Sequence, residues 1–434
     1  MLENGLKVLL LEEHTAPLVS VWCWYKVGSA DELPGFTGVS HWVEHMNFKG
    51  TTNIARDQMK GLIEQCGGAW NGYTWLDQTT YLGTASADAL DRLLFIEAER
   101  MARGLFHPED CESERTVIIS ELKGNENDPD SLLDQELVAT AFKAHPYRHP
   151  TIGWLSDLEA MTRDDLYAYY RRYYAPDNAT LVIVGDIDPE DTMTRVREHF
   201  GAFAPGGPLP RRRTREPEQT GERRVVLRRE GTTAYFRAGF HAPAVSDPQF
   251  VPALLLDAVL TGAKGVNLWT AFRVAPPQRR ARLYQAVVEQ GLASSLHGAM
   301  LPTAEPYLYT LSATATQGTS LEALEGAVLG ALDLVAASGV TEEELARAKR
   351  QLHAQMVFDG DSVSNVAHQL GFFESIGGVD LFLDMPRRIA AATLADVNAV
   401  AASLFAASNR TIGYFEPLPE GPHDPTGAAH EVGR

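Results

Sequence analysis

Between residues 161 and 184 the chain carries a pattern that returns 231 positions later (392 − 161 = 231). Met161-Thr162-Arg163-Asp164-Asp165-Leu166 leads through a helical stretch to Asn178-Ala179-Thr180-Leu181-Val182-Ile183-Val184. Ala392-Thr393-Leu394-Ala395-Asp396-Val397 leads in the same way to Asn409-Arg410-Thr411-Ile412-Gly413-Tyr414-Phe415. Pro108-Glu109 through Glu121 lines up with Thr341-Glu342 through Ala354 at nearly the same shift. A chain of 434 residues has room for two such units, each with its own core. Pro205-Gly206-Gly207-Pro208-Leu209-Pro210 and its Arg/Glu-rich continuation to Arg224 read as the connection. The division that follows is a first half 1–204, a linker 205–224 and a second half 225–434. The expected class is α+β: two α/β halves related by pseudo-symmetry, each an antiparallel-rich sheet covered by helices.

The halves differ where chemistry is possible. His41-Trp42-Val43-Glu44-His45 puts two histidines four apart on one face of a helix, with Glu44 beside them. Two neutral imidazoles can hold a Zn²⁺ ion, and a neighbouring carboxylate can take a proton from water at the metal. Thr37-Gly38-Val39-Ser40 offers capping residues for the start of this helix, and Lys49-Gly50 offers a stop. Val39, Val43 and Met46 supply an apolar flank. In the second half Leu254–Gly262 occupies the same place and has neither histidine.

A catalytic zinc site needs a third protein ligand and one open position. The stretch Pro108–Glu121 begins with proline and acids, as a helix start does, and carries Glu114 and Glu121 two turns apart on one face. One can bind the metal while the other orients a ligand. Under the internal alignment these two positions become Arg347 and Ala354.

Gly38 through Thr51 resembles the signature of the pitrilysin-type (M16, inverzincin) zinc metallopeptidases, among them the bacterial two-domain subunits related to mitochondrial processing peptidase. Gly67-Gly68-Ala69-Trp70-Asn71-Gly72-Tyr73-Thr74 with Asp77, Thr79 and Tyr81 is similar to another family stretch, and Glu114–Glu121 to its second acidic helix. His145-Pro146-Tyr147 and Tyr174–Asp186 extend the likeness over nearly the whole chain. The resemblance implies a zinc endopeptidase with one Zn²⁺ per chain. His41, His45 and Glu121 would be the ligands, Glu44 the general base and Glu114 a partner of one ligand. Asn71 and Gly72 would lie on an edge strand that pairs with peptide substrate. It also implies half of a clamshell that closes, as a dimer, around a chamber in which peptides or small unfolded proteins are cut.

One stretch departs from that pattern. Val287-Val288-Glu289-Gln290-Gly291-Leu292-Ala293-Ser294 stands where many family members carry an arginine and a tyrosine that approach substrate. Val288 and Ser294 replace them, so a heterodimer with a sister subunit bearing Arg and Tyr is preferred to a homodimer. The alternative is a non-hydrolytic peptide-binding or assembly subunit with a vestigial metal site.

Composition narrows the remaining choices. Thirty-eight basic against 57 acidic residues give a net charge of −19, which disfavours nucleic acid and anionic membrane as partners. The dense basic run Arg211-Arg212-Arg213-Thr214-Arg215 reads as a solvated part of the linker. No apolar run has the roughly 18–20 residues of a membrane span. The first eleven residues are too short and too acidic for a secretory signal, and Asn4-Gly5 reads as a turn before a strand. Cys23, Cys66 and Cys111 form no C-x-x-C pair and read as buried thiols, which points to a reducing cytoplasmic setting.

Overall fold

Ten strands build two five-stranded sheets in a computed structural model that describes residues 1–56, 58–210, 212–267 and 278–419. In the first sheet β1 (Lys7–Glu12), β2 (Leu18–Tyr25), β3 (Ala69–Thr74), β4 (Thr79–Ser86) and β5 (Ala179–Gly185) lie in the order β1-β5-β2-β4-β3. In the second, β6 (Arg223–Glu230), β7 (Tyr235–Ala242), β8 (Ala293–Met300), β9 (Tyr307–Ala315) and β10 (Arg410–Leu418) lie in the order β6-β10-β7-β9-β8. Adding five to each strand number converts one order into the other. Each sheet has one parallel pair, β1 with β5 and β6 with β10, and is otherwise antiparallel. The apolar run of β5 is buried at every position, as an interior strand covered on both faces requires.

The repeat extends to local chemistry. Thr162 and Asp165 form a capping box on the helix Arg163–Tyr173, and Thr393 and Asp396 form the same box on Leu394–Leu404. The two units are the mixed α+β halves expected from the duplication.

Each half lends a helix to the other's sheet. Pro129–Ala141 packs against β7 and β10, while Val363–Ile376 packs against β2 and β5. Gly371 makes the second contact possible: a Cβ there would lie 1.9 Å from the Trp24 indole nitrogen. His368 on this helix lies edge-on to Trp22 and Trp24, and its Nε2 is 2.7 Å from the Tyr73 hydroxyl of β3. Glu374 pairs with Lys7 at 2.8 Å and Lys26 at 3.2 Å. On the other side Arg237 of β7 reaches Asp134 at 2.6 Å and Asp130 at 2.9 Å. One core cluster therefore runs from Trp22, Trp24 and Val182 of the first sheet into Phe236 and Leu255 of the second half.

Two expectations need correction. The basic run is not simply solvated. Arg211 lies outside the described residues, but Arg212 is ion-paired with Asp77 and Asp31, and Arg215 pairs with Glu305. The nearby Glu216 carboxylate accepts the backbone N–H groups of Lys143, Ala144 and His145 at 2.7, 2.8 and 2.9 Å. The buried Asp77 draws Arg212 inward, since a buried acid needs a countercharge, whereas Arg215 stays exposed as expected. Of the three thiols, all free, Cys23 and Cys111 are buried while Cys66 is only half-buried. No single described helix is long and apolar enough to cross a membrane.

Candidate metal centre

The helix Val39–Met46 is short, and its apolar flank (Val39, Trp42, Val43 and Met46) is buried. Its start departs from the expected side-chain cap. Gly38 stands at the N-cap with φ 88°, and neither Thr37 nor Ser40 caps the helix. Both hydroxyls are engaged elsewhere: Thr37 donates to Asp157 at 2.7 Å, and Ser40 lies 2.7 Å from the Tyr169 hydroxyl. The cap is Glu32, whose two oxygens accept the N–H groups of Gly38 and Ser40, each at 2.8 Å. A carboxylate suits the positive end of a helix. Glu32 is itself held by His149, Nε2 to Oε2 3.0 Å. The helix gives way at Asn47, ahead of Lys49-Gly50, and the Asn47 side chain donates to the Tyr81 hydroxyl.

His41 and His45 stand on one face of this helix with ring centroids 4.6 Å apart. Glu121 enters from the helix Pro108–Glu126, and its Oε2 lies 3.9 Å from Nε2 of each histidine. One ligand-type atom from each of the three residues falls within 4.8 Å of the others, and no fourth His, Cys, Asp or Glu joins them among the described residues. Tetrahedral zinc with bonds of about 2.0–2.2 Å sets its ligand atoms about 3.4 Å apart. The carboxylate oxygen lies within about 0.5 Å of that spacing from both imidazole nitrogens, and Glu121 is half-exposed. Two imidazoles, a carboxylate and one open position are a fitting donor set for catalytic zinc.

The surrounding groups set the charge state of these candidate ligands. Burial, followed by the nearby His45, lowers the His41 pKa to about 3, so its imidazole is neutral. His41 Nδ1 has no hydrogen-bond partner among the described residues. Glu114 Oε2 lies 2.9 Å from His45 Nδ1, and Lys49 Nζ is 2.5 Å from the other Glu114 oxygen. Burial works upward on Glu114, but the hydrogen bonds from His45 and Lys49 outweigh it and hold the carboxyl at about 2. For His45 burial works downward and is overcome by Glu114 and the carboxylates of Glu44 and Glu121, leaving its pKa raised.

Glu44 is nearly fully buried, and burial lifts its pKa to about 7 against the opposing hydrogen bond from Thr74. That bond, Thr74 Oγ1 to Glu44 Oε2, is 2.8 Å long and ties the acid to the end of β3. β3 is an edge strand, bonded to β4 and to no second strand among the described residues. Asn71 is exposed on it, and Gly72 packs so closely on Phe48 that a Cβ would meet the ring at 2.9 Å. Beside His41 and Glu121 opens a cleft of about 420 Å³, walled by Trp75, Leu76, Val138, Tyr147, Ile152 and Tyr307. Both halves contribute, since Tyr307 belongs to β9.

His41, Glu44, His45, Glu114 and Glu121 thus meet in one place, with Asn71 and Gly72 on the adjoining edge. Three helpers escaped the sequence reading: Glu32, Lys49 and Thr74. Lys49 was legible only as a helix-stop cation and Thr74 only as part of a strand. Val288 is half-buried in the π-helical turn Tyr284–Val288, and Ser294 bulges from β8 with its hydroxyl donating to Thr314 O.

Comparison with known proteins is consistent with this geometry. Residues 7–153 match the family model described as insulinase (peptidase family M16), and residues 160–352 match the M16 inactive domain. The zinc protease PqqE of Helicobacter pylori is 25% identical over 421 residues, covering 96% of this chain and 92% of that protein. A probable mitochondrial-processing peptidase subunit beta of Schizosaccharomyces pombe is 25% identical over 373 residues, covering 85% and 80%. A Helicobacter pylori protease of known crystal structure superposes with a TM-score of 0.88 at 25% identity, covering 96% and 98% of the two chains. An M16 inactive-domain protein from Pseudomonas fluorescens shares the fold, with a TM-score of 0.85 at 18% identity, covering 97% and 98%. With both halves matched in order and the HxxEH helix in the first, the chain belongs to peptidase family M16.

Proposed function

We propose that this chain is the zinc-bearing subunit of an endopeptidase that hydrolyses peptides or small unfolded proteins. The observation that carries the reading is the meeting of His41, His45 and Glu121 beside a buried Glu44. Residues 1–204 would house the chemistry, and 225–434 would close the chamber without binding metal.

His41, His45 and Glu121 would hold the ion. When bound, zinc polarises a peptide carbonyl and lowers the pKa of water toward neutrality. Glu44, its pKa near neutrality, takes a proton from the attacking water and returns it to the leaving amine. Thr74 fixes the direction of Glu44, and Glu114, braced by Lys49, fixes the ring of His45. An extended peptide would add to the open edge of β3 along Asn71 and Gly72, so that backbone pairing supplies affinity. The cleft beyond Thr74 would receive side chains.

Neither Val288 nor Ser294 can supply a cationic or phenolic contact to substrate, which favours completion of the site by a sister M16 subunit. The same observation supports the second reading, a peptide-binding subunit without turnover. Metal analysis combined with peptide cleavage tests the roles. Glu44→Gln retains one zinc per chain and loses turnover, whereas His45→Ala loses both. Zinc at parental stoichiometry in purified His45→Ala overturns the ligand assignment.

A further inference from the structure

Arg212 of the linker reaches two carboxylates that hang from different segments of the first half. Its Nη1 lies 2.7 Å from Asp77 Oδ1, and its Nε lies 3.2 Å from Asp31 Oδ1. Asp77 sits in the turn between β3 and β4. Its oxygens also accept the Tyr147 hydroxyl at 2.8 and 2.7 Å and the Ala304 N–H of the second half at 3.0 Å. Asp31 closes the short turn Ser29–Asp31 and accepts the Gly28 N–H at 3.1 Å.

These two segments are stitched together by backbone. Ser29 N–H donates to Trp75 O at 3.0 Å and Ala30 N–H to Leu76 O at 2.9 Å. Gly28 packs so tightly here that a Cβ would lie 2.3 Å from Trp75 O. Two carboxylates, Asp77 buried and Asp31 half-buried, are thereby held near each other, and the guanidinium between them offsets their repulsion.

Both segments lead directly into the metal centre. Three residues before Asp77, Thr74 holds Glu44. One residue after Asp31, Glu32 holds the first amides of the His41/His45 helix. We propose that Arg212 is a positioning residue for the hydrolytic centre: docked between Asp31 and Asp77, it sets the spacing between the Glu44 support and the helix that carries the histidines. The inference rests on the endopeptidase reading above. It assigns to a linker side chain, in a run that reads as solvated, control over the geometry of a site it does not touch.

The test uses the full chain as Arg212→Met, Arg212→Lys and Arg212→Gly, the last with and without ethylguanidinium. Zinc affinity is read by competition with a chromophoric chelator, and hydrogen exchange is followed at the Ser29 and Ala30 amides. Peptide turnover, read with a sister M16 subunit present, and melting temperature complete the set. Folded Arg212→Met is expected to lose about tenfold in kcat with little change in KM, and about tenfold in zinc affinity, the size of a supporting-residue effect. Ethylguanidinium restores Arg212→Gly, and Asp31→Asn added to Arg212→Met recovers part of the loss by removing the repulsion. A folded Arg212→Met with parental zinc affinity and kcat overturns the inference. So does a loss that merely tracks melting temperature and is not rescued. A parent chain that cleaves nothing even with a sister M16 subunit present defeats the hydrolytic reading alone; unchanged zinc affinity and exchange in Arg212→Met would then overturn the positioning role as well.

Discussion

Replacing Glu32 with glutamine changes one oxygen to an NH₂ group at the amino end of the HxxEH helix. In the parent the two carboxylate oxygens accept Gly38 and Ser40 N–H groups at 2.8 Å each, and His149 Nε2 lies 3.0 Å away. Hydrogen bonds to an ionised group contribute about 1.5–3 kcal/mol and neutral ones about 0.5–1.5 kcal/mol. Glutamine keeps one acceptor, weakened, and turns donors toward the other amide. The expected loss is about 3 kcal/mol. If it is spent locally, the Gly38 and Ser40 amides exchange about 100-fold faster, at 1.4 kcal/mol per factor of ten. If it is spent globally, an unfolding entropy of about 2.1 cal/mol/K per residue over 434 residues gives a melting shift of about 3 °C. Hydrogen exchange of peptides spanning 36–46, with a thermal melt alongside, separates the two. Parental exchange together with a parental melting temperature would refute Glu32 as the helix cap.

Three further outcomes follow from particular contacts. Glu114→Gln loosens the bond to His45 and should weaken zinc binding by about 10- to 100-fold in a competition titration; unchanged affinity would remove Glu114 from the site. Gly371→Ala places a methyl against Trp24, so urea unfolding should report a loss of about 1–3 kcal/mol, and a neutral result would contradict the close approach of the exchanged helix. Arg282 bonds both oxygens of Glu344 at 2.7 Å and, with Thr341, holds its carboxyl at about 2, below the ordinary 4.5. A depressed carboxyl stabilises the fold fully above pH 4.5, and that stabilisation is lost as pH falls from there through 2. Urea midpoints of Arg282→Met should therefore fall less steeply between those pH values than the parent's; parallel curves would speak against the pairing.

Much of this architecture is legible in the sequence. The runs of β2 and β5 are apolar because they are buried, and the duplicated Thr-x-x-Asp starts follow from local capping chemistry at three-residue spacing. His41, Glu44 and His45 share a face because a helix turns every 3.6 residues. What stayed hidden depends on contacts between distant segments. Glu32 looks like any acid in a loop until the chain folds its carboxylate onto two amides. The exchange of helices Pro129–Ala141 and Val363–Ile376 leaves a trace only in an isolated glycine, Gly371. Arg212 was misread for the same reason: its partners, Asp31 and Asp77, lie more than a hundred residues away in sequence and meet it only in the folded chain. Thr74 was named within a strand, but its bond to Glu44 spans thirty residues.

The constellation of His41, Glu44, His45 and Glu121 is proposed to cut peptide bonds. The most direct measurement is cleavage of a quenched fluorescent peptide library by the purified, zinc-supplied chain, alone and with a sister M16 subunit carrying Arg and Tyr. Glu44→Gln serves as the control. Cleavage is expected to require the sister subunit and to vanish in Glu44→Gln. Zinc-loaded chain that cleaves nothing in either mixture, or cleavage that survives Glu44→Gln, would contradict the proposal.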